Sequence, residues 1–304
     1  MAKPVALVLG SSGQVGKAIV CSLSESYSDK VDIKACTRHP DKASDLASLP
    51  SVEVIAADMG TSTFDEIIKR FNAVSACIVT PGHENPAPIV AAAAKACKSV
   101  GVKSVCVFSD ISAALTGESA TVVLTSMFRD VEDAVKDVGV AYTIFRLPFF
   151  FENLYYSAER ITANSEVFSP ARPDAPFTGI AVTDIGKAAA AVLVNPSAHA
   201  NKIYNLGSNA QTFDDIANAF TQSLERKIEY VKVPYEKFKQ FCVDTCWPEW
   251  TIDGVVGYFK AVDRGSSHVV DTSAVATYTS ITGLEPLTVQ QWVTQQADVF
   301  KERK

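Results

Sequence analysis

Through its first half the chain alternates short runs of β-branched and small apolar residues with stretches whose apolar positions recur every three or four residues. The runs at 6–9, 32–37, 52–56, 75–79, 104–108 and 142–147 have the length and composition of buried strands. Between them, 17–24, 41–46, 63–70, 88–98 and 127–136 carry helical spacing. Strict alternation predicts parallel strands joined by right-handed helical crossovers. The expected fold is therefore α/β, a doubly wound parallel sheet with helices on both faces. Such sheets bind ligands beyond the carboxyl ends of their strands, which directs attention to the loops after Leu9, Thr37, Ala56, Val79, Phe108 and Leu147.

The pattern changes after Phe151. Residues 155–176 are aromatic- and proline-rich, and a βαβ-like segment follows, with strands near 179–182 and 203–206 around a helix at 184–193. The last hundred residues read as mainly helical, with 230–233 strand-like and 301–304 a frayed end. Two units are expected. Residues 1–152 plus 177–208 form a dinucleotide-binding domain, and 153–176 plus 209–304 form a smaller, mainly helical capping domain.

The first of the strand-end loops changes the picture most. An apolar run from Val5 ends in Gly10-Ser11-Ser12-Gly13-Gln14-Val15-Gly16, and a helical pattern (Ala18, Ile19, Leu23) follows at once. Strand, glycine turn and helix start together are the context that a Rossmann-type dinucleotide fingerprint needs. Gly10 permits the tight turn, Gly13 lets the backbone approach a pyrophosphate, and Gly16 lets the helix pack on the strand. The helix N–H groups and dipole would hold the phosphates, making Gly10, Ser12, Gly13, Gln14, Val15 and Gly16 cofactor-binding candidates.

The second loop decides which cofactor. NAD-binding folds place a carboxylate at this strand tip, but here the tip is Thr37-Arg38-His39-Pro40-Asp41-Lys42. The guanidinium of Arg38 suits a 2′-phosphate, with Lys42 as a second charge, so NADP(H) is expected. Asp58 and Met59, after the third strand, flank the adenine or, for Asp58, cap a helix. Thr80 and Pro81, Ser109 and Pro148 complete the cofactor candidates from the later loops.

Composition narrows the alternatives. A net charge of −6 with no Lys/Arg block excludes a general nucleic-acid-binding surface. No apolar run reaches transmembrane length, and the N-terminus enters the first strand without room for a signal peptide. Seven cysteines without disulfide spacing read as reduced thiols, so a cytoplasmic protein with no membrane association is expected. The four histidines are scattered and no metal motif or GxSxG elbow occurs, which argues against a metal site and a serine hydrolase. Cys242 and Cys246 form a CxxxC pair, read as a redox couple or as two packed thiols. Trp247 and Trp250 form an aromatic cluster, read as core or as a lid for flat aromatic substrates.

Several segments in order carry a resemblance to a known family. They are Leu9 through Gly16, Thr37 through Pro40, Ala57-Asp58-Met59, the stretch 92–103, Gly139 through Pro148, Phe151-Glu152-Asn153, and 182–189. Together they resemble the NmrA-like branch of the atypical short-chain dehydrogenases, and 206–213 with the helical tail resembles its quinone-reducing and dye-reducing bacterial members. The resemblance implies an NADP(H)-preferring oxidoreductase with the nicotinamide between 108–110 and 147–150 and Asn153 beside it. It leaves room for a homodimer.

Two departures bear on mechanism. The only YxxxK is Tyr235 to Lys239, far from where the catalytic pair of typical short-chain dehydrogenases belongs, so a chance match on a surface helix is expected. The alignment also puts Phe128 where many NmrA-like proteins keep a lysine, four residues before Glu132, which argues against carbonyl–alcohol chemistry. The function expected is NADPH-dependent reduction of quinone-like or conjugated aromatic small molecules, with Phe149, Phe150 and Asn153 lining the pocket. The alternative is a non-catalytic NADP(H)-sensing redox regulator acting through a protein partner. An isoflavone-reductase-like enzyme fits less well, because those relatives keep the lysine.

Overall fold

The computed structural model describes residues 2–61, 63–115 and 123–301; the end of the frayed tail, 302–304, lies outside the described residues. Strands β1 (Val5–Leu9), β2 (Asp32–Thr37), β3 (Val52–Ala56), β4 (Ser75–Ile78), β5 (Ser104–Asp110) and β6 (Ala141–Leu147) fall close to the apolar runs. With a later strand, β10 (Lys202–Asn205), they form one seven-stranded sheet, in the order 10-6-5-4-1-2-3, every pairing of which is parallel. This is the Rossmann-type order, and it reverses direction between β1 and β4.

Helices cover both faces. On one lie α1 (Gln14–Tyr27) and α7 (Val182–Val194), whose Ile19, Val20, Ile185 and Ala189 share a core with Val8, Ile33 and Phe145 of the sheet. On the other, α3 (Phe64–Lys69), α4 (Ala87–Ser99) and α5 (Val123–Val138) bury Ile68, Val90, Ala94 and Val131 against Leu7, Ile78 and Val107. A short α2 (Ser44–Ala47) follows the β2 tip. Strands apolar on both faces are what a parallel sheet clad twice requires.

Strand β6 ends before Pro148, which has no N–H to continue the ladder. The chain then turns out of the sheet. Strand β7 (Phe149–Phe150) pairs in parallel with β9 (Phe177–Ile180), and β11 (Ala210–Gln211) pairs antiparallel with β9, making a small second sheet. The expected βαβ segment is therefore divided: β9 belongs to the small sheet, while β10 (Lys202–Asn205) joins the edge of the large one beside β6.

A third core fills the region beyond. The proline- and aromatic-rich stretch, for which periodicity indicated no element, forms 3₁₀ turns over Phe151–Ser157, α6 (Ala158–Asn164) and β8 (Glu166–Ser169). Strand β8 pairs with β12 (Glu229–Lys232). Helices α8 (Phe213–Leu224), α9 (Tyr235–Asp244), α10 (Glu249–Asp263), α11 (Ala274–Thr282) and α12 (Val289–Gln296) follow. Helices α8 and α12 begin with full capping boxes, Thr212 with Asp215 and Thr288 with Gln291. Buried aromatic side chains, among them Phe151, Phe213, Phe259, Trp292 and Phe300, hold this region together.

Candidate active site

The site begins with the glycine turn, and its geometry comes from backbone. Gly10 sits at φ +87°, where only glycine is comfortable. That conformation turns the N–H groups of Gly10 and Ser11 onto the Cys36 carbonyl, each at 3.0 Å, which ties the end of β1 to the end of β2. A Cβ on Gly16 would overlap the Gly10 carbonyl oxygen and lie 2.7 Å from Ser11 Cα, so helix α1 packs directly on the turn. Gly13 differs: an added Cβ would meet only the Gly10 oxygen at 3.6 Å, an ordinary contact. Gly13 precedes α1, no side chain caps the helix, and no acidic residue occupies its first turn. The first-turn N–H groups, which have no intrahelical partner, point out with the positive end of the dipole.

A cleft of about 510 Å³ opens over this turn, at the carboxyl ends of β1, β2 and β4. Gly10, Ser12 and Gly13 form one side and Arg38 another. Asp58 and Met59 follow from the β3 loop, and Thr80 and Pro81 from the loop after β4. Asp58 is not a helix cap; its Oδ1 accepts from the Gly60 N–H at 3.0 Å within its own turn, and Thr63, which makes no side-chain capping bond, holds the N-cap position of α3. Lys42 is exposed on the 3₁₀ turn after the β2 tip and takes no part in the wall, nor does Gln14. Thr37 carries a role no motif announced. Its hydroxyl donates to Ser12 Oγ at 2.9 Å and accepts from the His39 N–H at 3.1 Å, bracing the turn against the loop that bears Arg38.

A second cleft, of about 670 Å³, adjoins the first, and Val79 and Thr80 line both. Val15, Ser109, Pro148, Phe149, Phe150 and Asn153 are in its wall. Phe151 is not, being wholly buried against Trp292. The remaining wall draws on residues far apart in sequence, among them Phe128 on α5, Tyr156 in the turns after β7, Phe241 and Trp247 in and after α9, and Tyr258 on α10. Tyr156 and Trp247 meet with ring centroids 4.4 Å apart, so one of the two tryptophans of the sequence cluster lines the cleft and the other, Trp250, does not.

Behind the shared edge lies a buried ionic network. Glu132 takes Arg146 on both oxygens, Nε at 2.7 Å and Nη2 at 2.8 Å, and accepts the Ser109 hydroxyl at 2.8 Å. Burial raises the Glu132 pKa, but Arg146, Ser109 and Lys136 outweigh it and hold the carboxyl below its ordinary range. Thus Ser109 reaches the cleft already positioned, its hydroxyl committed to Glu132. Burial pushes the Asp110 carboxyl above its ordinary range despite the Ser112 N–H at 2.8 Å. Glu152 is a structural tie, accepting from the Val182 N–H and Trp292 Nε1, both at 3.0 Å.

The YxxxK pair lies elsewhere. The Tyr235 hydroxyl donates to Asp263 at 2.9 Å and Lys239 pairs with Asp253 at 2.9 Å, so each is engaged on its own and neither lines a cleft. Cys242 is buried and lines neither cleft, its thiol pushed up to about 11, whereas Cys246 is exposed and lines the aromatic cleft; both are free. Among the described residues no three His, Cys, Asp or Glu side chains gather as a metal site, and no helix is long and apolar enough to cross a membrane.

A glycine turn over an uncapped helix, at the switch point of a parallel sheet, defines a Rossmann-type fold with an aromatic cleft beside the nucleotide position. The chain belongs to the NmrA-like family, which it matches over residues 2–287. It is 27% identical over 251 residues to the NAD(P)H azoreductase of Xenophilus azovorans, covering 82% of this chain and 84% of that protein. It is 26% identical over 268 residues to quinone oxidoreductase 2 of Escherichia coli K12, covering 86% and 87%. Among solved structures, the E. coli NADPH-dependent quinone oxidoreductase complexed with NADPH has a TM-score of 0.80 at 22% identity, over 96% of this chain and 99% of the other. The Citrobacter triphenylmethane reductase complexed with NADP(H) has a TM-score of 0.79 at 23% identity, with the same coverage.

Proposed function

We propose that this protein is an NADPH-dependent reductase of quinone-like or other conjugated aromatic acceptors. The observation that carries the reading is the junction at Val79 and Thr80, where a polar, backbone-built cleft opens into an aromatic one. Residues 1–152 plus 177–208 hold the cofactor, and 153–176 plus 209–304 cap it and supply most of the acceptor wall. The open approach at Gly13, the uncapped N–H groups of α1 and the Arg38 guanidinium fit an adenine dinucleotide bearing a 2′-phosphate. Bound there, a reduced nicotinamide supplies hydride. The chain holds a flat acceptor between Phe149, Phe150 and the Tyr156–Trp247 pair, with Asn153 at the edge, and keeps the contact dry. Relatives named as azo, quinone and triphenylmethane reductases support an aromatic acceptor.

Purified protein is expected to oxidise NADPH with simple quinones, to use NADH weakly and to leave aliphatic ketones untouched, followed by absorbance. Phe150→Ala should lower quinone turnover more than it lowers NADPH affinity. Tight NADPH binding with no oxidation across a quinone and dye panel would overturn the reading. It would favour instead a sensor of the cofactor's redox state, which Phe128 in the cleft, in place of a proton-donating side chain, is compatible with.

A further inference from the structure

One residue of the aromatic cleft wall carries a polar atom that its packing does not explain. Tyr258 lies on α10 and lines the cleft, yet its hydroxyl oxygen is buried and has no hydrogen-bond partner among the described residues. Its ring is well used: it stacks on Phe149 (centroids 6.2 Å apart, planes at 18°) and meets Phe259 edge-on at 5.6 Å. A phenylalanine would make the same contacts. The hydroxyl therefore adds only a cost, because a buried polar group without a partner forfeits its bonds to water. Its place is also fixed. Gly254, one turn earlier on the same helix face, packs so closely on α5 that an added Cβ would lie 2.6 Å from Leu124 Cγ. Asp110, at the end of β5, lines the same cleft.

We propose that Tyr258 is the hydrogen-bond donor for a carbonyl oxygen of the acceptor, which makes the preferred substrates quinones and not merely flat hydrocarbons or cations. This rests on the reductase reading for the reaction but not for the binding. Two-electron reduction of a quinone by a reduced nicotinamide places negative charge on the carbonyl oxygen. The Tyr258 O–H stabilises that charge without giving up its proton, and water supplies the proton that completes the hydroquinone. Burial, with the Asp110 carboxyl as a second contribution, raises the phenol well above its ordinary range, so the donor stays protonated. A triphenylmethane cation, by contrast, is neutralised on accepting hydride and leaves no anion to stabilise.

The test compares wild type with Tyr258→Phe in the full chain. Calorimetric titration with 1,4-naphthoquinone and naphthalene asks about binding alone. The substitution should shift the ratio of the two dissociation constants against the quinone by roughly three- to tenfold. The thermal midpoint should be no lower than wild type, since the lost hydroxyl has no partner among the described residues. With NADPH, the ratio of quinone turnover to triphenylmethane-dye turnover should fall roughly ten- to hundredfold. An unchanged binding ratio, or a midpoint several degrees lower, would overturn the assignment. If wild type turns over neither acceptor, the reductase reading fails, while the binding comparison still decides the role of Tyr258.

Discussion

The two adjoining clefts are built by different means. The one over the glycine turn is made of backbone: the positive φ of Gly10, the Cys36 carbonyl that gathers two N–H groups, and the open first turn of α1. Nearly all of it comes from the loops after β1, β2, β3 and β4. The other is made of aromatic side chains gathered from β7, the turns after it, α5, α9 and α10. A backbone site tolerates most side-chain changes and fails at its glycines. A side-chain site tolerates backbone variation and changes its selectivity one ring at a time.

The sharpest way to break this contrast is at the glycines. Gly16→Val forces atoms into the Gly10 carbonyl and should prevent stable folding, read by thermal melting. The Cβ of Gly13→Val meets only an ordinary contact with the Gly10 oxygen, so its ligand-free melting point should stay within a few degrees of wild type while NADPH binding is lost in calorimetry. Intact NADPH affinity in that variant would show that the turn has another job.

Next in size is the network behind the shared edge. Arg146→Met leaves Glu132 buried without its bidentate partner, at a cost of about 3–5 kcal/mol, and should lower the melting point by roughly 6–20 °C. The folded-state pKa of Glu132 lies below its unfolded value. Its contribution is therefore complete above about pH 4.3 and is lost as pH falls through the folded value. Wild type should thus lose stability more steeply on acidification than Glu132→Gln, measured by denaturant titration across that range.

Arg38→Ala tests cofactor choice. A charge-assisted bond to phosphate contributes about 1.5–3 kcal/mol, so NADPH binding should weaken roughly ten- to hundredfold while NADH changes little. Equal losses for both cofactors would remove Arg38 from the 2′-phosphate.

The smallest effect is expected at the YxxxK match. Tyr235 and Lys239 are held by Asp263 and Asp253 outside both clefts. Tyr235→Phe with Lys239→Met should leave quinone turnover within about twofold, far from the 10²–10⁴ of a lost general acid.

Much of the nucleotide half was legible in the sequence because its determinants are local. Six strands of the large sheet fall within a residue or two of the apolar runs, since a strand buried on both faces must be apolar along its length. The glycine spacing marks a turn whose conformation only those residues permit, and the Arg38 tip is read from one strand end. The alternation of elements implies parallel strands, and every pairing of the large sheet is parallel.

Tertiary structure alone decided the rest. The aromatic, proline-rich stretch after Phe151 has no period, so the helix at Ala158–Asn164 and the strand at Glu166–Ser169 owe their form to the core they pack against. Strand β9 went to the small sheet because Pro148 ends one ladder and sends Phe149 and Phe150 to another. Phe151 and Phe149 alternate between core and cleft, and Trp250 and Trp247 part ways, by small differences in direction. Tyr258 is one tyrosine on an ordinary amphipathic helix, and nothing beside it in the sequence distinguishes it. Its buried hydroxyl, unpartnered among the described residues, is visible only once α10 is packed in place. Backbone conformation depends on neighbours in the chain, so a motif can record it. The environment of a side chain depends on neighbours in space, and here they are drawn from strands and helices more than a hundred residues apart.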